Sequence, residues 1–347
     1  MFNNKELRTM FRLSKHLFRI ISQQEQSCSV KRASNYNAQK PDSQSQPRPK
    51  YNHGLSGKGK SKRLNKIQDL PKIQGEIVFG LHPVYLAIRA ERRNKFHTLY
   101  VGEKFMDTEN RNSAVSELLE LAQHRNIMIC PLRKPILDQL AGNRPHQGVC
   151  LDADQLEVPE WTFETEVSSS SQGMPIWLLL QSIQDPMNLG AILRTAYYLG
   201  LDKVVIPAVE SCRLSPTVSK ASAGALEVID LVRLPKGVSE TALCEWWQAR
   251  GWQVVGTALD KKESTSSDSS LPQSLYKFST SRPTMVLLGN EGTGLSPDLI
   301  QACDTLVTIP NYEQSHKGLP RISSLNVSVA AGILLHWIKV SSSKSNR

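Results

Sequence analysis

Between positions 176 and 309, short apolar runs alternate with stretches whose apolar residues recur at steps of three and four. The runs 176–181, 203–206, 228–232, 253–258, 285–288 and 306–309 read as strands, and 238–250 and 297–303 as helices between them. Strands apolar at successive positions need cover on both faces, so the pattern predicts a parallel sheet with helices on each side. Within it, 184–200 (QDPMNLGAILRTAYYLG) is the stretch around which the rest is organised. Asp185 and Pro186 stop the strand and Asn188 is the expected N-cap. Leu189, Ile192, Leu193, Ala196 and Leu199 then follow a helical period until Gly200. Asn188 and Arg194 thus fall on a corner at the carboxyl end of a strand, the edge where open α/β sheets bind ligands. Two later corners, 287–296 (LLGNEGTGLS) and 323–336 (SSLNVSVAAGILLH), have the same strand- or loop-to-helix form, and the three are expected to converge.

Upstream, 75–153 alternates in the same way over a shorter span. It gives a turn and helix at 76–90 and a strand at 97–102. A helix follows at 113–124 with Val115, Leu118, Leu119 and Ala122 inward, then a strand at 127–132, a short helix at 135–140 and a closing strand at 146–153. This describes a small α/β domain. His82 and His146 are candidates for substrate contact, although a lone histidine is more often structural. The acidic, Ser-rich stretch 154–173 reads as a linker to the second domain, 174–340, and 261–274 as a mobile polar surface loop.

Charge changes the picture only once it is located. The net charge is +10, but residues 1–63 hold 14 of the 42 Lys/Arg and 3 of the 32 Asp/Glu, leaving 28 basic against 29 acidic residues elsewhere. Lys5, Arg8, Arg12, Lys15 and Arg19 alternate with an apolar face of Leu7, Met10, Phe11, Leu17, Phe18 and Ile21. Followed by an acid-poor polar stretch, this basic amphipathic pattern is that of a mitochondrial transit peptide, so 1–65 is assigned to a presequence and a disordered basic segment. Gly54, Gly59, Lys60 and Ser61 match a phosphate-loop pattern by letter, without the buried strand and helix that such a loop needs. The six cysteines are scattered with no Cys-x-x-Cys pair, which argues against a structural zinc site and a disulfide framework. The most apolar stretch, 325–340, is short for a membrane span and carries Asn326, Ser328, His336 and Lys339, so it is expected to be a buried helix and no membrane partner is expected.

The corners hold the candidate chemistry. Glu291, at the end of an apolar strand, is costly unless paired, and Arg194 is an available partner. Asn326 is placed to cap the last helix or bind ligand. No paired histidines and carboxylates of a metal hydrolase and no serine triad are present, so no metal is expected.

DPMNLGAILRTA (185–196), LLGNEGTGLS, and the Ile309-Pro310 pair followed by SSLNVSVAAGILLH resemble, in order and spacing, the three motifs of the SpoU/TrmH ribose 2′-O-methyltransferases. SPTVSKASAGALE (215–227) matches the family between the first two motifs, and GLHPV and HQGV resemble its accessory domain. The resemblance covers 75–340 and, with the transit-like start, is closest to the mitochondrial ribosomal RNA methyltransferase branch. It implies an α/β fold, with a C-terminal parallel sheet tied in a trefoil knot and a small N-terminal α/β substrate-binding domain. It further implies S-adenosylmethionine held around Gly289, Ile309 and Leu325, usually near a homodimer interface. Arg194 is the implied catalytic residue, with Asn188, Glu291, Ser324 and Asn326 holding it and the substrate. The resemblance assigns Arg194 to activating the 2′-hydroxyl; because arginine stays protonated, orienting the ribose or a phosphate and stabilising developing negative charge is the alternative role. The implied reaction is 2′-O-methylation of a guanosine ribose in large-subunit rRNA, free or in a pre-ribosomal particle, in the mitochondrial matrix. The same chemistry on tRNA, and a non-catalytic RNA-binding assembly factor, are the alternatives, and methyl transfer by the purified protein separates the last from the others. The connection 311–323 is longer than the bacterial one.

Overall fold

The computed structural model describes residues 70–107, 112–162, 174–258, 272–290, 292–312 and 324–344. The presequence expected at 1–65, Glu291 and most of the polar loop expected at 261–274 lie outside them.

The first sheet has the order β1-β4-β2-β3, formed by β1 (Glu76–Phe79), β2 (Phe96–Gly102), β3 (Met128–Leu132) and β4 (Val149–Ala153). The β2–β3 pair is parallel and β4 runs antiparallel to both β1 and β2. Helices α1 (Leu81–Ala90) and α2 (Ser113–His124) cover one face and α3 (Lys134–Leu140) the other. Val115, Leu118, Leu119 and Ala122 face inward as the spacing predicts, and Asn112 caps α2 by accepting from the Val115 N–H. The EIVF segment, expected as a turn, is instead the edge strand β1. Asp152 holds its approach by accepting from the Gln74 and Gly75 amides. Residues 154–162, within the stretch expected as a linker, are packed. Leu156 joins one core of the second sheet, Trp161 joins the other, and the Trp161 N–H donates to the Arg233 carbonyl.

The second sheet has seven strands, all parallel, in the order β7-β6-β5-β10-β8-β11-β9. They are β5 (Ile176–Leu180), β6 (Lys203–Ile206), β7 (Leu231–Arg233), β8 (Gln253–Thr257), β9 (Gln273–Ser274), β10 (Thr284–Leu288) and β11 (Thr305–Thr308). On one face Ile176, Leu178 and Leu180 pack against α4 (Pro186–Tyr198) and α8 (Val327–Lys344). On the other, Trp177 and Leu179 pack against α6 (Glu240–Gln248) and α7 (Pro297–Gln301), within a group containing Trp161, Trp247 and Trp252. The two-sided cover that the apolar runs predict is therefore realised.

Three local expectations change. Strand β7 starts at Leu231 rather than 228 because Ala225–Glu227 forms a 3-10 turn whose amides reach back to Ser222 and Gly224. The end of the expected polar loop is the edge strand β9, anchored by the buried Leu275 and Phe278 just beyond it. Helix α8 is buried along one face only, with Val329, His336 and Val340 open. The chain that would carry the implied knot includes 313–323, outside the described residues.

Candidate active site

Order reverses between β5 and β10. From β5 the chain moves outward through β6 and β7, and then builds β8, β10 and β11 on the opposite side. Such a switch point opens a crevice at the carboxyl edge. The corners after β5 and β10, and the turn into α8, lie around it.

At the first corner Ser182 adopts a left-handed φ of 52° and Asp185, not Asn188, caps α4, accepting from the Met187 N–H at 2.9 Å. Pro186 explains the shift, since at the first helical position its missing N–H costs nothing and its fixed φ suits the helix. Asn188 is thereby placed inside the first turn, and Arg194 emerges exposed on the same helix.

The second corner is a closed loop. Asn290 and Gly294 exchange backbone hydrogen bonds of 3.0 and 2.9 Å, and the Asn290 side-chain oxygen accepts from the Gly292 N–H at 2.8 Å. Gly289 is required here, because a Cβ on it would lie 2.2 Å from the Gly294 carbonyl carbon. The Asn290 amide donates to the Ser182 carbonyl at 2.8 Å. Gln181 donates to Ser296 Oγ at 3.1 Å and accepts from the Ser296 N–H at 2.9 Å. Three polar contacts thus weld the corner after β5 to the one after β10.

The third corner joins the first through side chains. Asn326 Oδ1 accepts from the N–H and Oγ of Ser328, at 2.9 and 2.6 Å, capping α8. That fixes the amide orientation, so Asn326 Nδ2 donates to Asn188 Oδ1 at 3.0 Å. Ser324 and Leu325 stand exposed immediately ahead of the helix, with Leu325 50% exposed. Ile309, just past β11, is half-buried against the core on the α8 side.

The structure joins Asn188 and Asn326 directly, places Arg194 further along the helix of Asn188, ties the loop of Gly289 to the first corner through Asn290 and Ser182, and sets Ser324 and Leu325 just ahead of α8, with Ile309 at the end of the neighbouring strand. Glu291 sits in the Gly289–Gly294 loop but lies outside the described residues. Sequence reasoning missed Gln181, Ser182, Asn290 and Ser296. An asparagine inside a glycine-rich turn was the available signal for Asn290; the Gln181–Ser296 pair, 115 residues apart, left none. His146 is structural. Its Nδ1 accepts from the Gly148 N–H at 3.0 Å, which leaves Nε2–H to donate to Asp138 Oδ1 at 2.9 Å. Lys134 and His146 together hold the Asp138 carboxyl below its ordinary range. Among the described residues no cluster of His, Cys, Asp and Glu could hold a metal, and no helix is long and apolar enough to cross a membrane.

A doubly covered parallel sheet with a glycine-rich loop, a polar clamp and an exposed arginine at the corners around its switch point is an α/β domain of the doubly wound class, whose crevice lies at that edge. The model of the SpoU rRNA Methylase family matches residues 175–336, and that of the RNA 2'-O ribose methyltransferase substrate-binding domain matches 77–159. The chain belongs to the SpoU rRNA methylase family. It is 38% identical over 288 residues to human "rRNA methyltransferase 1, mitochondrial", covering 82% of this chain and 79% of that one. To the 23S rRNA (guanosine-2'-O-)-methyltransferase RlmB of Pseudomonas aeruginosa it is 32% identical over 265 residues, 76% of this chain and 96% of that one. The fold is shared with the SpoU methyltransferase AviRb from Streptomyces viridochromogenes, at a TM-score of 0.57 and 22% identity over 78% of this chain and 91% of that one.

Proposed function

We propose that this protein is an S-adenosylmethionine-dependent methyltransferase that modifies the 2′-oxygen of a guanosine ribose in mitochondrial large-subunit rRNA. The observation that carries the reading is the clamp between Asn188 and Asn326, which ties two motif corners together on the helix that carries Arg194. The two relatives named as rRNA methyltransferases, one mitochondrial and one guanosine-specific, support the substrate and the compartment. A pre-ribosomal particle in the matrix is the setting in which we place it.

The residues present fit the cofactor. Three of the six residues from Gly289 to Gly294 are glycines, the Asn290 side-chain oxygen is occupied by the loop's own Gly292 N–H, Gly294 has open space where a Cβ would stand, and the half-exposed Leu325 is an apolar cover beside polar neighbours. Gly289, Ile309 and Leu325 would hold it. When bound, S-adenosylmethionine supplies an electrophilic methyl group on a sulfonium. Arg194 orients the ribose and, remaining protonated, neutralises charge developing on the 2′-oxygen. Asn188 and Asn326 fix the helix that presents it, and Glu291 and Ser324 hold the guanidinium and the substrate.

A homodimer completes the site. On α4, Met187 (58% exposed) and Tyr198 (87%) share the Arg194 face; on α8, Val329 (51%) lines up with Val340 (37%). The two helices pack side by side, so these residues form an open apolar surface around Arg194 that a second copy would cover.

The test is to incubate the purified protein with labelled S-adenosylmethionine and mitochondrial RNA, and to map the label by alkali resistance of the adjoining linkage. One resistant linkage in large-subunit rRNA, lost in Arg194→Ala with cofactor affinity retained, is the expected result. Transfer to tRNA instead would overturn the substrate. Transfer to neither free RNA nor ribosomal precursors would overturn the enzyme.

A further inference from the structure

The three sequence motifs that the site leaves unused, GLHPV, HQGV and SPTVSKASAGALE, meet at the seam between the two sheets. Gly80 is packed so tightly against Lys220 that a Cβ there would lie 2.4 Å from the ammonium nitrogen, which itself donates to Gln147 Oε1 at 2.8 Å. Gly224, at a φ of 88°, lets its turn press on the Pro83 Cα, where a Cβ would stand only 3.0 Å away. Arg92 Nη1 donates to the Ile229 carbonyl at 2.6 Å.

At the centre of the seam Arg93 is 4% exposed and Glu227 0%. Arg93 Nε and Nη2 donate to the two oxygens of Glu227 at 2.9 and 2.8 Å, while Nη1 donates to Glu76 Oε1 at 2.7 Å and to the Asp154 carbonyl at 2.8 Å. Glu227 Oε1 also accepts from Ser219 Oγ at 2.7 Å. Ser219 belongs to α5 (Pro216–Ala221), and the far side of α5 lies against Gly190 of α4, where a Cβ would stand 2.4 Å from that of Ala221. Gly190 is one helical turn before Arg194. An unbroken set of close contacts therefore runs from Arg93 in the small domain, through Glu227 and α5, to the helix carrying Arg194.

We infer that Arg93 and Glu227 are a positioning pair, holding the substrate-binding domain in one orientation so that RNA gripped by it presents its ribose to Arg194. This rests on the methyltransferase reading above. A buried ion pair stabilises a fold little better than apolar residues of similar size, but its planar, bidentate contacts admit one geometry. The seam is thus built for direction more than for adhesion.

The experiment compares Arg93→Met, Glu227→Met and the double variant in the full chain. Its readouts are kcat/KM for large-subunit rRNA, affinity for S-adenosylmethionine, thermal stability, and hydrogen exchange at 217–229. Arg93→Met strips Glu227 and Glu76 of their shared partner, and Glu227→Met leaves Arg93 with Glu76 alone, so each should raise exchange at the seam about tenfold and lower kcat/KM about 10- to 100-fold, the scale of a misplaced reactant, with cofactor affinity unchanged. The double variant removes both charges of the central pair and should regain part of the thermal stability lost in Arg93→Met, with Glu76 still lacking its partner, while kcat/KM stays down. Recovery of wild-type kcat/KM in the double variant, or unchanged seam exchange in the singles, would overturn the inference. A wild-type protein that transfers no methyl group refutes the functional reading alone, and seam exchange then decides whether the joint is fixed.

Discussion

Asn326 performs two tasks that substitution can separate. Its side-chain oxygen caps α8 and its amide holds Asn188. Asn326→Ser keeps a cap of nearly equal strength but is too short to reach Asn188; Asn326→Ala loses both. Capping is worth about 1 kcal/mol, and an exposed side-chain hydrogen bond about 0.5–1 kcal/mol net. The serine variant should therefore lose about 0.5–1 kcal/mol and the alanine variant about 1.5–2 kcal/mol, both small enough to leave a domain of ordinary stability folded. Urea unfolding monitored by tryptophan fluorescence reads these losses, since Trp161, Trp177, Trp247 and Trp252 are all buried in one core. If the clamp sets the helix that presents Arg194, both variants should lose methyl transfer to the same degree, about tenfold or more by the geometric sensitivity of positioned reactants, in spite of their different stabilities. Wild-type transfer by Asn326→Ser would refute the reasoning and reduce Asn326 to a helix cap.

Three further outcomes follow from the packing and the charges. Gly289→Ala drives a methyl group into the Gly294–Leu295 backbone, which cannot rotate away; it should cost about 1–3 kcal/mol and weaken S-adenosylmethionine binding by calorimetry, and unchanged affinity would remove the loop from the cofactor site. Val329→Asp puts a charge on the open apolar surface, so sedimentation should show a monomer with little transfer activity, whereas a variant that remains dimeric would place the interface elsewhere. Burial pushes the Cys150, Cys244 and Cys303 thiols up to about 12 from 9.0, so above pH 9.0 the unfolded chain releases protons that the folded one keeps and stability must fall as pH rises; urea melts between pH 8 and pH 10 that are independent of pH would contradict this.

Periodicity made the sheet legible because it reports burial. The apolar runs at 176–180 and 285–288 are buried on both faces, and the inward set of α2 is the one its spacing predicts. The same signal misled where a segment's cover comes from outside its own element. EIVF resembles the approach to a helix until β4 pairs with it, and QS at 273–274 reads as loop until β11 does. Helix α8 is apolar enough to look wholly buried, yet Val329 and Val340 stay open, because apolar composition does not distinguish the inside of a domain from a surface awaiting a partner. Turn chemistry was similarly ambiguous at α4, where Asp185 and Asn188 are both good caps and only the position of Pro186 decides between them.

The polar ties around the site were the least legible, for a physical reason. A hydrogen bond between Gln181 and Ser296, or between Asn188 and Asn326, depends on where two distant corners meet in space, and neither residue's neighbours carry a trace of it. Strand order supplies the missing information. Once β10 lies beside β5 in register, with Leu288 opposite Leu180, the residues that follow the two strands must meet, and the polar side chains there find each other. The corner that carries Arg194 and the domain seam are then two ends of one construction. Gly190 lets α5 close on α4, Ser219 on α5 holds Glu227, and Glu227 holds Arg93. A change of alignment at the seam therefore reaches the helix of Arg194 through a bidentate ion pair, the buried Ser219 hydroxyl and the close approach of α5 to Gly190.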